Sequence, residues 1–308
     1  MNKIQLLTSF FNYLEFEKRY SPHTLEAYKS DISQFQDFVQ YTYSVSDLSD
    51  AKPMHIRSWM VALHELKISN RSINRKISAL KTFYHFLRKR NGMELNPLRK
   101  VINPKVEKRL PVTVRKELMD TLLDGTEKAI GKEHTLTSFQ LQQQKLIIEV
   151  LYSCGLRRSE LINLAVTDID SGRQLIKVMG KGKKERQVPI SKELLRQLSD
   201  FAKLRSSELD RLEVSDHRHL FITEKGDPLY PKYVYNLVRS NLSTITTVER
   251  KSPHILRHSF ATHLSDAGAD LNAVKTLLGH SSLAATQVYM HNTVEKLKKI
   301  YDQAHPKS

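Results

Sequence analysis

The chain has 308 residues, 40% of them hydrophobic, which is enough for ordinary packed cores and, by length, for about two domains. Its 49 Lys and Arg against 33 Asp and Glu leave a net charge of +16, which favours a polyanionic partner. The single cysteine, Cys154, excludes an intramolecular disulfide and fits a reducing compartment, while no apolar run approaches the roughly 20 residues of a membrane span.

The start, Met1-Asn2-Lys3-Ile4-Gln5, opens an amphipathic helix and has no signal-peptide core, so the expectation is a cytoplasmic protein without membrane insertion. Residues 1–103 read as a domain of four helices. Leu6, Leu7, Phe10, Phe11 and Leu14 recur at helical spacing. Ser21 caps a second helix with Pro22 at its first position and an apolar stripe of Leu25, Tyr28, Ile32 and Phe35. Ile56, Trp59, Met60 and Leu63 mark the third; Ile73, Ile77, Leu80, Tyr84 and Leu87 mark the fourth. Asn103-Pro104 and Leu110-Pro111 bound an extended linker over 104–112.

Residues 113–308 read as a mixed, mostly helical domain. A helix is predicted over Leu141–Ser153, with Cys154 as buried filler beyond it. A hairpin follows, with Ile176 and Val178 on one strand, Val188 and Ile190 on the other, and the turn Gly180-Lys181-Gly182-Lys183-Lys184 between them. Helices take over to the end. The fold class is therefore mainly α, in the α+β sense: a helical bundle plus a mostly helical domain with a small antiparallel sheet. The charge is shared, with 16 Lys and Arg against 9 Asp and Glu in residues 1–103. That pattern suggests two lobes that both face nucleic acid.

Three stretches carry candidate chemistry: Gly155–Leu161, His254–His258, and Leu278-Gly279-His280 followed by Tyr289. A phosphodiester repels nucleophiles, and charge grows on its non-bridging oxygens during displacement. Guanidinium forks meet that charge best because they stay protonated and bind two oxygens at once. Arg157 and Arg257 are the candidates. Arg157 follows a helix-capping glycine and opens a short helix whose free N–H groups favour phosphate; Arg158 reads as a surface residue. His254 and Arg257 share a helix face behind Ser252-Pro253. Three readings of His254 are open: a helix-end hydrogen-bonder, a zinc ligand with His258, or a proton acceptor beside the arginine. The zinc-protease pattern needs Glu where Ile255 stands. A tyrosine titrates near 10, so a nucleophilic Tyr289 needs arginines and a histidine beside it. Lys181, at the hairpin tip, is either a proton donor to a departing oxygen or, with Lys183, part of a solvated basic turn. No Gly-x-x-x-x-Gly-Lys-Ser/Thr is present, so ATP use is not indicated. Away from this chemistry, Arg71, Arg75, Ser78 and Thr82 form a polar stripe on the fourth helix, and Tyr233, Asn236 and Arg239 form another. Each is either a DNA-contacting or a plainly solvated face.

These segments resemble the tyrosine site-specific recombinases of the phage-integrase family, and within them the Xer type that resolves chromosome dimers. Gly155–Leu161 is similar to the first catalytic-arginine box, and Gly180–Arg186 with Val188-Pro189 to the hairpin-lysine segment. HILRHSFATHL at His254–Leu264 is similar to the second box, and LLGHSSLAATQVYMH at Leu277–His291 to the third. SPHTLEAYKSDISQF resembles the family's DNA-clamping domain. The resemblance implies that Tyr289 forms a 3′-phosphotyrosyl link and that Arg157, Arg257 and His280 hold the phosphate. It further implies that His254 handles the tyrosine proton and Lys181 protonates the 5′-hydroxyl leaving group. No cofactor or metal is implied. The implied partner is double-stranded DNA at paired sites, bound by a tetramer of this chain alone or with a related recombinase. A DNA-translocating motor protein is a candidate activator. In the family the last helix, here Val294 to Tyr301, docks on a neighbouring protomer. Residues Gly125–Gln144 are longer and more polar than the matching stretch of the housekeeping enzymes. Two alternatives stand beside this expectation: an integrase of a mobile element, and a DNA-bridging protein without catalysis.

Overall fold

A computed structural model gives the structure of the protein; it describes residues 3–93, 95–106, 112–124, 137–180, 184–249 and 251–279. Lys181, Lys183, His280, Tyr289, the expected last helix and residues 125–136 of the longer segment lie outside the described residues. The chain divides into two compact units, Met1–Arg109 and Leu110–Ser308.

The first unit has helices and no strand among its described residues: α1 (Lys3–Asn12) running into a π-helical turn (Tyr13–Glu17), then α2 (Pro22–Tyr43), α3 (Pro53–Glu65) and α4 (Asn70–Asn91). Local chemistry sets the ends. Ser21 and Ser69 accept from the N–H groups of Thr24 and Ser72, satisfying helix-start donors. Gly92 closes α4 at φ +66°, and Arg88, Lys89 and Arg90 occupy the last turn, where the helix dipole favours cations. The stripes meet in one core of Phe10, Ile32, Phe35, Trp59, Ile77, Leu80 and Phe83. Residues 104 and 105, expected to begin the extended linker, lie along α4 together with Asn103 before them. Asn74 donates to the Pro104 carbonyl at 2.9 Å, Asn70 to that of Lys105 at 2.8 Å, and Lys81 to the Asn103 side chain at 3.0 Å.

The second unit is built around α6 (Ser138–Ser153), in which Ile147, Ile148, Val150, Leu151 and Tyr152 are fully buried. It starts three residues before the expected Leu141, because Thr137 and Gln140 form a reciprocal cap, at 2.8 and 3.2 Å, that residue periodicity does not register. Packed with it are α5 (Lys116–Asp124), α7 (Arg158–Ile162), α8 (Lys192–Arg211), α9 (Pro231–Ile245), α10 (Pro253–Asp266) and α11 (Leu271–Leu278). The hairpin belongs to a three-stranded antiparallel sheet of β1 (Ile169–Asp170), β2 (Leu175–Met179) and β3 (Glu185–Pro189). Ile176 pairs with Val188 and Val178 with Arg186, and the Gly180 N–H to Lys184 carbonyl bond of 2.8 Å closes the base of the turn. Among the described residues no helix is long and apolar enough to cross a membrane.

Candidate active site

Arg157 stands where α6 ends and α7 begins. The chain leaves α6 through Cys154 and turns at Gly155, whose φ of +57° lies in the left-handed region. A Cβ there would fall 2.5 Å from the Phe260 ring and 2.9 Å from Leu278, so only glycine fits this approach of α10 and α11. Cys154 is fully buried, and burial raises its thiol far above the ordinary range, which makes it packing rather than a nucleophile.

Arg157 is the N-cap residue of α7, but the free helix-start donors expected beside it are partly taken. Glu160, at the third helical position, reaches back and accepts from the Arg157 N–H at 2.7 Å and from its Nη1 at 2.7 Å. The same carboxylate accepts a bidentate fork from Arg186, both bonds 2.8 Å. Arg257 Nη1 lies 3.9 Å from it. The Glu160 side chain is only 3% exposed, so each oxygen is paired in place of water. Burial pushes its carboxyl up, and the bonds from Arg186 and Arg157 outweigh this, bringing it down to about 2.

Arg257 comes from α10. Ser252 occupies the expected cap position and Pro253 the first turn, although the Ser252 side chain makes no cap bond. The Arg257 side chain is 9% exposed and donates to the Gly155 carbonyl at 2.6 Å and to the Leu278 carbonyl. Burial, then the neighbouring Arg157, push its guanidinium down to about 10, so it remains charged at neutral pH. His254, one turn earlier, is partly exposed. Partial burial, then Arg158, Arg257 and Arg157, lower its pKa, which favours neutral imidazole at pH 7.

Three arginines therefore meet three successive carbonyls at the end of α11. Arg186 Nε donates to Leu277 at 2.8 Å, Arg257 Nη2 to Leu278 and Arg157 Nη2 to Gly279 at 3.3 Å. A helix C-terminus attracts cations, and here it gathers guanidinium groups from three distant segments. Gly279 ends the helix at φ +63°, and the chain continues from there to His280. Arg158, read as a surface residue, reaches the Pro231 carbonyl at 3.4 Å. Among the described residues no group of three or more His, Cys, Asp or Glu is placed to hold a metal ion.

The remaining candidates are carried by other helices. On α9, Arg239 is exposed, but Tyr233 is half-buried against the core and its phenol is raised by burial. On α4, Arg71 and Arg75 are exposed, and Ser78 and Thr82 bond back to the carbonyls of Asn74 and Ser78. Arg75 also pairs with Asp31 of α2, a fully buried carboxylate that receives Lys76 at 3.0 Å. Glu160, Arg186 and Asp31 escaped sequence reasoning. For Glu160 a signal existed: a glutamate three residues after a helix start.

The chain belongs to the phage integrase family, whose pattern matches residues 114–296, with that of the phage integrase N-terminal SAM-like domain matching residues 7–91. Its similarity to proteins named tyrosine recombinase XerC extends over nearly the whole length. With that of Chlorobaculum parvum it is 35% identical, covering 97% of this chain and 94% of the relative. With that of Oceanobacillus iheyensis it is 33% identical, covering 100% and 98%. Within the family it is of the Xer type. Two solved structures share the fold: the XerH site-specific recombinase bound to difH substrate in a pre-cleavage complex (TM-score 0.64, 19% identity, 90% of this chain and 76% of that one), and the Tn1549 transposon integrase with transposon right-end DNA (TM-score 0.71, 18% identity, 98% and 95%).

Proposed function

We propose that the protein is a site-specific recombinase that cleaves and rejoins duplex DNA through a 3′-phosphotyrosyl intermediate, and that its role is resolution of chromosome dimers at a Xer-type site. The observation that carries the reading is the convergence of Arg157 and Arg257, from separate helices, on one buried carboxylate and one helix end. The sequence similarity to XerC proteins over the full chain supports the housekeeping role over integration of a mobile element.

In this mechanism Arg157, Arg257 and His280 hold the scissile phosphate and neutralise the charge that grows on its non-bridging oxygens. The Tyr289 phenolic oxygen attacks phosphorus, and its proton passes to neutral His254. The bond to O5′ breaks, and Lys181 supplies the proton that turns the leaving oxygen into a 5′-hydroxyl. The phosphotyrosine conserves the bond energy, so a 5′-hydroxyl from the other duplex can attack it and restore Tyr289. No step consumes a nucleotide or routes through a metal. The reading extends to a tetramer on two DNA sites, of one chain or with a related recombinase, to activation by a DNA-translocating motor, and to a cytoplasmic location. Arg71, Arg75, Lys183, Tyr233 and Arg239 are its proposed DNA contacts.

The test is a nicked suicide duplex of a verified cognate site. The native protein is expected to trap a covalent 3′ complex, in EDTA as well as in magnesium. Tyr289→Phe is expected to bind and trap none. Binding by both with trapping by neither would leave a DNA-bridging protein.

A further inference from the structure

Arg186 stands on the wrong side of its strand for a surface cation. Side chains alternate along β3, so Arg186 shares a face with Val188 and Ile190, which are almost completely buried, and it pairs in register with buried Val178. A cation on a core face is costly unless every donor finds a partner. Here each guanidinium nitrogen donates within the protein: Nη1 and Nη2 to the two oxygens of Glu160, and Nε to the Leu277 carbonyl. The side chain is 11% exposed, against 31% for Arg157. All three Arg186 nitrogens are therefore engaged by protein partners, whereas the more exposed Arg157 engages its two Nη groups.

The neighbourhood shows what this contact joins. A Cβ at Gly180, the base of the lysine-bearing turn, would lie 3.8 Å from Arg186 Nη1 and 3.9 Å from Glu160 Oε1. A Cβ at Gly279, where α11 ends, would lie 3.1 Å from Arg186 Cδ. The base of the hairpin, the first arginine box and the end of α11 thus abut one guanidinium. Glu160 orients Arg157 through two bonds, and without Arg186 its partners among the described residues would be those and the more distant Arg257.

We propose that Arg186 is a positioning residue of the active site, which sets Arg157 through Glu160 and ties the hairpin and the end of α11 into the same unit. This rests on the recombinase reading and deepens it.

The experiment compares Arg186→Met, Arg186→Lys and an exposed control, Arg196→Met, with the native protein on the suicide duplex. Single-turnover covalent capture and DNA affinity are both measured well below each variant's melting temperature. Arg186→Met is expected to bind DNA within about threefold of native yet to lose roughly 100-fold in capture rate, the scale of a misplacement of about 1 Å. Arg186→Lys, a point charge that cannot span both Glu160 oxygens, is expected to lose on the order of tenfold, and it decides the matter if the methionine variant does not fold. Because Arg186 acts through Glu160, the Glu160→Gln, Arg186→Met double variant is expected to be no slower than the slower single variant. Arg196→Met is expected to match native. Capture by the Arg186 variants at the native rate, or losses that multiply in the double variant, would overturn the proposal. A native protein that traps nothing would sink the recombinase reading instead.

Discussion

Arg157 is bound by Glu160 at two places, its own backbone N–H and its guanidinium, both at 2.7 Å. The carboxylate that fixes where this arginine starts its helix also fixes where its side chain points. A carboxyl held at about 2 rather than the ordinary 4.5 stabilises the folded catalytic unit by about 3 kcal/mol. The folded value is the lower one, so this contribution is fully present above pH 4.5 and fades as pH falls toward 2. Urea denaturation between pH 3 and 7 is expected to show it. Glu160→Gln, which leaves Arg186 without its counter-charge, is expected to lose about 3 kcal/mol at pH 7 and to flatten the acid limb. An unchanged limb in that variant would assign it to another carboxylate.

Gly155 bears on the same centre through its carbonyl, which accepts from Arg257. Its left-handed φ and the 2.5 Å approach of the Phe260 ring leave no room for a methyl group. Gly155→Ala is expected to cost about 3 kcal/mol in thermal or urea denaturation, from backbone strain plus overpacking. Because Arg257 binds the Gly155 carbonyl, covalent capture is expected to fall as well, even at temperatures where the variant stays folded. A variant with native stability would mean that α10 and α11 yield easily.

Much of this was readable in the chain. The four apolar stripes of the first hundred residues became four helices, and the Ile176/Val178 and Val188/Ile190 alternation became a paired hairpin. Arg157 and Arg257 stood out because each sits in a compact motif. Arg186 did not, because its charge merged with the basic turn before it, although strand alternation already placed it beside Val188 and Ile190. Asp31 hid next to Ile32 in an apolar stripe, where one position of helical phase separates solvent from core. Glu160 was visible only as part of a motif. That four donor bonds would converge on it depends on β3 and α7 meeting, which is tertiary information.

On α4, Arg71 and Arg75, both exposed, are expected to separate by experiment. Arg71→Gln should lower the slope of log affinity against log salt by about 1, the loss of one phosphate contact, with no change in stability. Arg75→Gln should lower the slope similarly and also destabilise the first unit by about 1–3 kcal/mol, because buried Asp31 would lose one of its two cationic partners among the described residues and keep Lys76. Gel shifts across a salt series and thermal melts measure both. Lost stability with an unchanged slope would make Arg75 an anchor for Asp31 and nothing more.

His254 supplies the pH test of the chemistry. Partial burial and the surrounding arginines hold its pKa below 6.5, so a proton acceptor at this position stays neutral through the physiological range. Capture by the native protein is therefore expected to be flat from pH 8 to 6.5 and to fall only at lower pH, as His254 takes up a proton and can no longer accept one from the phenol. His254→Gln is expected to bind DNA normally and to capture roughly 100-fold more slowly, without that acid limb. If the limb persists unchanged in His254→Gln, the phenolic proton leaves by another route, and His254 belongs to the helix end rather than to the reaction.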